Sequence, residues 1–312
     1  MMRKASIFCY TGSRRMGGQN YLSLTVSVQE ETVMPEKRVL LLLVATIVAA
    51  TTGCSVLATR TAASDPEARK AEEDRKKSYG GGLFATKPAF EDDFLPGWEK
   101  NQKDWHVATW MQNGTQMSPE RCATDGNGFL VQTVLAGDPP RGGSLQTRKE
   151  YGYGRWVGRL KPSAVAGALN SFFSDDWDNL ATPETPNDGT KFEIDIEFVT
   201  ASFGPGKGQV ELALHSAFGK RTPYGKIVDL DFNPSDSFHI WGFDILPDRI
   251  VWHCDGKVIG EYVCGPGESV PDIGHELFMN SWTARKWVKG PPASDAKYFI
   301  DWVRFYPLVR KQ

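Results

Sequence analysis

Between Phe84 and Tyr306 short apolar runs alternate with clusters of Gly, Pro, Asn and Asp, the punctuation of strands and tight turns. GFLVQTVLAG is a strand closed at both ends by glycine, and YGYGRWVGRLKP is another, stopped by Pro162. RIVWHCDGKVIGEY predicts a hairpin, because Asp255-Gly256 is a strong short turn signal between two apolar runs. KYFIDWVRFYP closes the region as a long alternating strand. No stretch of this region keeps a 3.6-residue period long enough for a helix. Many short strands without internal repeats predict an all-β domain, a two-sheet antiparallel β-sandwich of the jelly-roll kind.

The N-terminal quarter reads differently. Residues 1–33 carry no apolar core and are expected to be irregular, an extension ahead of a true start at Met34. From Met34, Lys37 and Arg38 precede a mostly apolar run from Val39 to Ala50, too short to span a bilayer comfortably. The run ends in Thr51-Thr52-Gly53 before Cys54, which resembles a bacterial lipoprotein signal over residues 34–54, although the position three before the cysteine is not the usual Leu. Cys54 would then carry the lipid, the only contact with a membrane. A plain signal peptide or an uncleaved anchor is the alternative. Each implies export, to the cell envelope or beyond. Residues 55–83 are small, charged and glycine-ended, which predicts a flexible polar linker. The folded domain is expected over 84–312.

A net charge of −2 offers nothing to nucleic acid or to an anionic membrane surface. The ten tryptophans suit both a carbohydrate cleft and a hydrophobic core, so composition leans only weakly towards sugar. Cys122, Cys254 and Cys264 permit one disulfide in an exported domain, with the pair undetermined. No Cys or His spacing specifies zinc, and no metal site is expected. The chain is read as a monomer.

One strand carries chemistry. In KFEIDIEFVT, Glu193, Asp195 and Glu197 occupy every second position. A strand turns alternate side chains to opposite faces, so Phe192, Ile194, Ile196 and Phe198 enter the core while the three acids share the other face. A half-buried strand with a wet acidic side is the plain structural reading. Three carboxylates on one face repel one another, however, and that costs stability unless they are used. Retaining glycoside hydrolysis uses such acids, with a nucleophile and a proton donor whose carboxyl groups stand roughly 5–5.5 Å apart. Cα atoms four residues apart on a strand are about 13 Å apart, so the two glutamates must lean together over the sugar.

The motif E-I-D-I-E-F resembles the ExDxE signature of family 16 glycoside hydrolases. RKEYGYGRWVGRLKPS, GALNSFFSDDWD, FHIWGFDILPDRIVWHCDG, FMNSW and YFIDWVRFY resemble that family's other segments, in the same order, from about residue 86 to 306. The resemblance implies a concanavalin A-like or laminarinase-like jelly roll and a cofactor-independent retaining endo-glycosidase acting within β-1,3- or β-1,4-linked polysaccharide, β-glucan foremost. It implies Glu193 as nucleophile, Glu197 as general acid/base and Asp195 as assisting carboxylate. Family members often hold a structural calcium, which no motif here fixes.

The departures bear on the cleft. Where lichenases carry Trp-Asp before the first glutamate, this chain has Lys191-Phe192, and Gln146 stands where the family commonly has Arg. Lys191 is either a surface cation or a contact for a substituted glycan. The long polar segment SDDWDNLATPETPNDGT is expected at the cleft mouth, with Trp177 as a sugar platform. Trp282, Asn280, Trp110, Asn113 and His215 complete the candidate substrate contacts, each with a structural role as its alternative, and Tyr153 is read as packing. A transglycosylase at the same site and a non-catalytic carbohydrate-binding sandwich are the competing functions. Three acids along one straight strand spread too far to close on one calcium ion.

Overall fold

The computed structural model describes residues 5–16, 19–30, 66–100, 102–176, 192–215, 223–283 and 286–309. The lipoprotein-type segment with Cys54 therefore lies outside the described residues, as do Trp177 and Lys191. No helix among the described residues is long and apolar enough to cross a membrane. The chain divides into two compact units, Met1–Arg69 and Lys70–Gln312.

Two sequence expectations change here. Residues 1–33 are not irregular throughout: Ala5–Met16 and Gln19–Glu30 pair antiparallel, from Ala5 opposite Glu30 to Met16 opposite Gln19. The reason lies in the sequence YLSLTVSV, where Leu22, Leu24, Val26 and Val28 alternate with polar residues at the strand period. The linker expected over 55–83 also ends early. Pro66–Lys76 forms a helix, α1. Asp65-Pro66-Glu67 is a helix-start composition, and Arg75 and Lys76 suit the negative end of the helix dipole. The second unit thus begins near Lys70 rather than Phe84.

That unit is the predicted sandwich. Its principal strands are β1 (Leu130–Val134), β2 (Arg141–Thr147), β3 (Gly154–Lys161), β4 (Leu169–Asp175), β5 (Glu193–Val199) and β6 (Gly208–His215). They continue with β7 (Tyr224–Leu230), β8 (His239–Leu246), β9 (Arg249–Cys254), β10 (Lys257–Val263), β11 (Glu276–Trp282) and β12 (Ala296–Pro307). One sheet runs β10-β9-β8-β3-β12-β1 and ends on Cys122–Thr124. The other runs β7-β6-β5-β4-β11-β2 and ends on Thr115–Met117 and Met111–Gln112. Sequence neighbours β3 and β4 lie in different sheets, as do β11 and β12, so the chain crosses the sandwich repeatedly.

The turns follow their residues. Asp255 and Gly256 have φ of 48° and 78°, and Asn113 and Gly114 have 45° and 86°, the left-handed pairs that a two-residue hairpin demands. Between the sheets Phe172, Phe192, Ile194, Ile196, Phe198, Leu212, Leu277 and Met279 meet Trp156, Trp241, Phe243 and Trp252 in one core. Five tryptophans, Trp105, Trp156, Trp241, Trp252 and Trp302, are fully buried, so half of the ten serve packing rather than a cleft. Tyr153 also packs there and donates to the Val270 carbonyl at 2.5 Å. The permitted disulfide does not form: Cys122, Cys254 and Cys264 are each free, and burial pushes the Cys122 thiol up to about 12.

Buried charge fastens α1 and the following segment to the unit. Arg159 on β3 bonds Asp301 on β12 at 2.7 Å, and both are almost fully buried. Asp74 and Arg75 of α1 complete this cluster, Asp74 with Arg159 at 3.5 Å and Arg75 with Asp301. Arg155 grips Asp244 with two bonds, of 2.6 and 2.7 Å, and reaches the Tyr79 carbonyl at 3.2 Å.

Candidate active site

Side chains directly opposite one another on paired strands share a face. The registers therefore lay three rows across the cleft face of the sheet. Glu211, Glu197, Ser171, Asn280 and Ser144 form the first, on β6, β5, β4, β11 and β2 in turn. Asp195, Phe173, Phe278, Gln146 and His106 form the second. His215, Glu193, Asp175 and Glu276 form the third. The alternation of FEIDIEF is thus realised, with Phe192, Ile194, Ile196 and Phe198 at 0–1% exposure on the core side.

Glu193, Asp195 and Glu197 line one cavity of about 210 Å³, together with Asn113, His215, Asn280 and Trp282. Asn280 accepts a hydrogen bond from Ser171 Oγ at 2.8 Å, which orients its amide. His215 Nε2 lies 3.4 Å from Asp195 Oδ2, a contact that becomes an ion pair when the imidazole is protonated. Trp282 is 94% buried and lines the cavity with what little of it is exposed. A second, larger groove of about 540 Å³ adjoins it and is lined by Trp110 and Gln146, with Glu193 and Asn280 shared between the two. Every described candidate contact therefore falls on this cleft.

The two glutamates differ in surroundings. Burial first, then the negative charges of Glu211 and Glu193, hold the Glu197 carboxyl well above the usual carboxylate range. Burial and the neighbouring charges thus favour the protonated form of Glu197. Such a division of environments separates a proton donor from its partner carboxylate.

Several cleft residues were not singled out from sequence. Trp287 meets Trp282 edge-on at 6.3 Å and lines the first cavity. Phe173 and Phe278 stack at 4.9 Å to pave the floor, and His106 stacks under Trp110 at 5.8 Å. Glu211 stood in VELALH at the same parity as His215, so strand periodicity alone could have found it. Glu276 preceded the FMNSW segment by two positions along the same face. Away from the cleft, His239, Cys254 and Asp255 bring ligand-type atoms within 4.8 Å of one another. There His239 Nδ1 and Asp255 Oδ2 pair at 2.7 Å, and Asp255 Oδ1 accepts the Ile240 amide at 2.8 Å, so the group is committed to holding the hairpin.

Comparison with known proteins agrees with this geometry. The family description "Glycosyl hydrolases family 16" matches residues 98–304. The chain is 27% identical over 235 residues to a beta-glucanase of Bacillus subtilis, covering 72% of this chain and 86% of that protein. It is 29% identical over 262 residues to a beta-glucanase of Brevibacillus brevis, covering 78% and 88%. Among solved structures, the Bacillus licheniformis beta-glucanase superposes with a TM-score of 0.59 at 21% identity, over 72% of this chain and all of the other. The laminarinase catalytic domain of Thermotoga maritima gives the same TM-score at 18% identity, over 73% of this chain.

Proposed function

Because the chain belongs to glycosyl hydrolase family 16, we propose that it is an endo-acting β-glucanase that cleaves β-1,3- or β-1,4-linked glucan with retention of configuration. The observation that carries this reading is the shared cavity of Glu193, Asp195 and Glu197, in which burial and neighbouring charge favour the protonated form of Glu197. The Glu193 carboxylate attacks the anomeric carbon while Glu197 gives its proton to the departing glycosidic oxygen. The glycosyl ester on Glu193 is then opened by a water that returns its proton to Glu197. Asp195, beside His215, shapes the charge between the two glutamates. The chemistry calls on no cofactor. The segment with Cys54 supports export of the enzyme to its polymeric substrate.

The test incubates the protein with mixed-linkage β-glucan, laminarin, xyloglucan, agarose and carrageenan, reading product mass and following the anomeric signal by NMR. Internal cleavage of a glucan with the β-anomer appearing first is the expected result. Products longer than the substrate would identify sugar rather than water as the acceptor. An α-anomer appearing first would overturn the assignment of Glu193, and binding without cleavage would make the protein a lectin-like module.

A further inference from the structure

Glu276 is an acid on the cleft face that the proposed reaction leaves unused. It lies on β11 in the row of Glu193, and it is 96% buried. Its Oε2 accepts a hydrogen bond from Gln146 Nε2 on β2 at 3.0 Å, and Gln146 is itself 92% buried. An ionised carboxylate is an acceptor only, so it dictates which end of the amide faces it. With Nε2 committed to Glu276, the amide oxygen is left as the acceptor that Gln146 offers the groove. Around that group stand aromatic faces, the stacked Phe173 and Phe278 below and Trp110, 38% exposed, on its His106 support. Aromatic planes beside one fixed polar group suit a pyranose ring, which is apolar on its faces and rimmed with hydroxyls.

We propose that Glu276 is a positioning residue that fixes the Gln146 amide, so that the groove beside Glu193 grips an uncharged glucosyl unit through one of its hydroxyls. This deepens the glucanase reading and rests on it. The surrounding acids set the class of sugar: Asp175 faces Glu276 from β4, Glu150 adds negative charge from the β2–β3 connection, and Glu193 follows in the row, with the titratable His215 at its far end beyond Glu193. A uronate or sulfate at this position would meet like charge.

The grip depends on the charge of Glu276. Burial pushes its carboxyl up to about 7; the bond from Gln146 opposes this shift and Glu150 adds to it. The other titratable groups packed nearby are the buried His275 beside it and His106 across from Gln146, while Arg148 and Lys149 are exposed. Once protonated, Glu276 donates as well as accepts, and the amide is free to turn over. Sugar binding therefore weakens as pH falls through about 7.

The experiment measures kcat and KM on mixed-linkage β-glucan across pH for the full chain, for Glu276→Gln, for Gln146→Ala and for the double variant. Exchanging a charge-assisted bond for a neutral one is worth roughly 1 kcal/mol, which converts to about fivefold in KM. Glu276→Gln is expected to raise KM by that factor, to flatten its pH dependence and to change kcat far less. In the Gln146→Ala background it should add nothing. An unchanged KM in Glu276→Gln, a fall in kcat equal to the rise in KM, or a full effect without Gln146 would each overturn the proposal while leaving the glucanase reading intact. A parent enzyme silent on every glucan would overturn both.

Discussion

Glu197 and Glu211 stand directly opposite each other on β5 and β6, two carboxyl groups sharing the cleft face of adjacent strands. After burial, the charge of Glu211 is the largest influence holding Glu197 protonated. The neighbouring strand thus adds to what burial does to this acid. Glu211→Gln removes a negative charge, so ionising Glu197 becomes easier. The alkaline limb of kcat/KM on β-glucan is expected to move to lower pH, with the optimum rate little changed. A limb that stayed in place would show that burial alone tunes the acid.

Glu197→Gln separates catalysis from stability. Polysaccharide cleavage should fall by about 10²–10⁴-fold, with a far smaller loss on an aryl glycoside whose leaving group needs no proton. The same variant should melt higher than the parent at neutral pH. The folded pKa of Glu197 lies above its unfolded value, so its stabilisation is full below the unfolded value and is lost as pH rises towards the folded one. A permanently neutral side chain escapes that loss. Calorimetry across pH checks this: the gap in Tm should open as pH rises from about 4.5, near the ordinary glutamate value.

Glu193→Ala should abolish turnover on both substrate types while leaving the circular dichroism spectrum and melting temperature close to the parent. The residue is half-buried on the cleft face and carries no part of the core. Activity near normal would remove it as the nucleophile.

Asp301→Ala strips the buried Arg159 of its 2.7 Å partner and costs Arg75 its own. Breaking one side of a buried pair typically destabilises by about 3–5 kcal/mol, and urea unfolding should show a loss of that size. The cleft lies on the other sheet, so kcat at low temperature should hold.

The acidic strand was legible because its two periods coincide: core residues and acids alternate without a fault from Phe192 to Phe198. The hairpin at Asp255-Gly256 was legible because its turn admits few residues. Glu276 was less visible, since it stands between His275 and Leu277 and gains meaning only when the register sets it beside Gln146, while Glu211 shares the parity of His215 but shows its bearing on Glu197 only through the register. α1 escaped for a different reason. Its composition is almost wholly polar, and among its described side chains only Ala71 is buried. Its attachment is made by charges whose partners lie far along the chain, so no apolar stripe announces it.

That attachment decides where the enzyme can be shortened. A chain trimmed to Phe84, the boundary its composition suggests, would discard Asp74 and Arg75. Arg159 and Asp301 would keep each other but lose the counter-charges of Asp74 and Arg75. Tyr79, whose ring packs 5.2 Å from Trp302, would leave with them. A chain that starts ahead of Asp74 keeps this cluster whole, and the polar helix is a clasp rather than a leash.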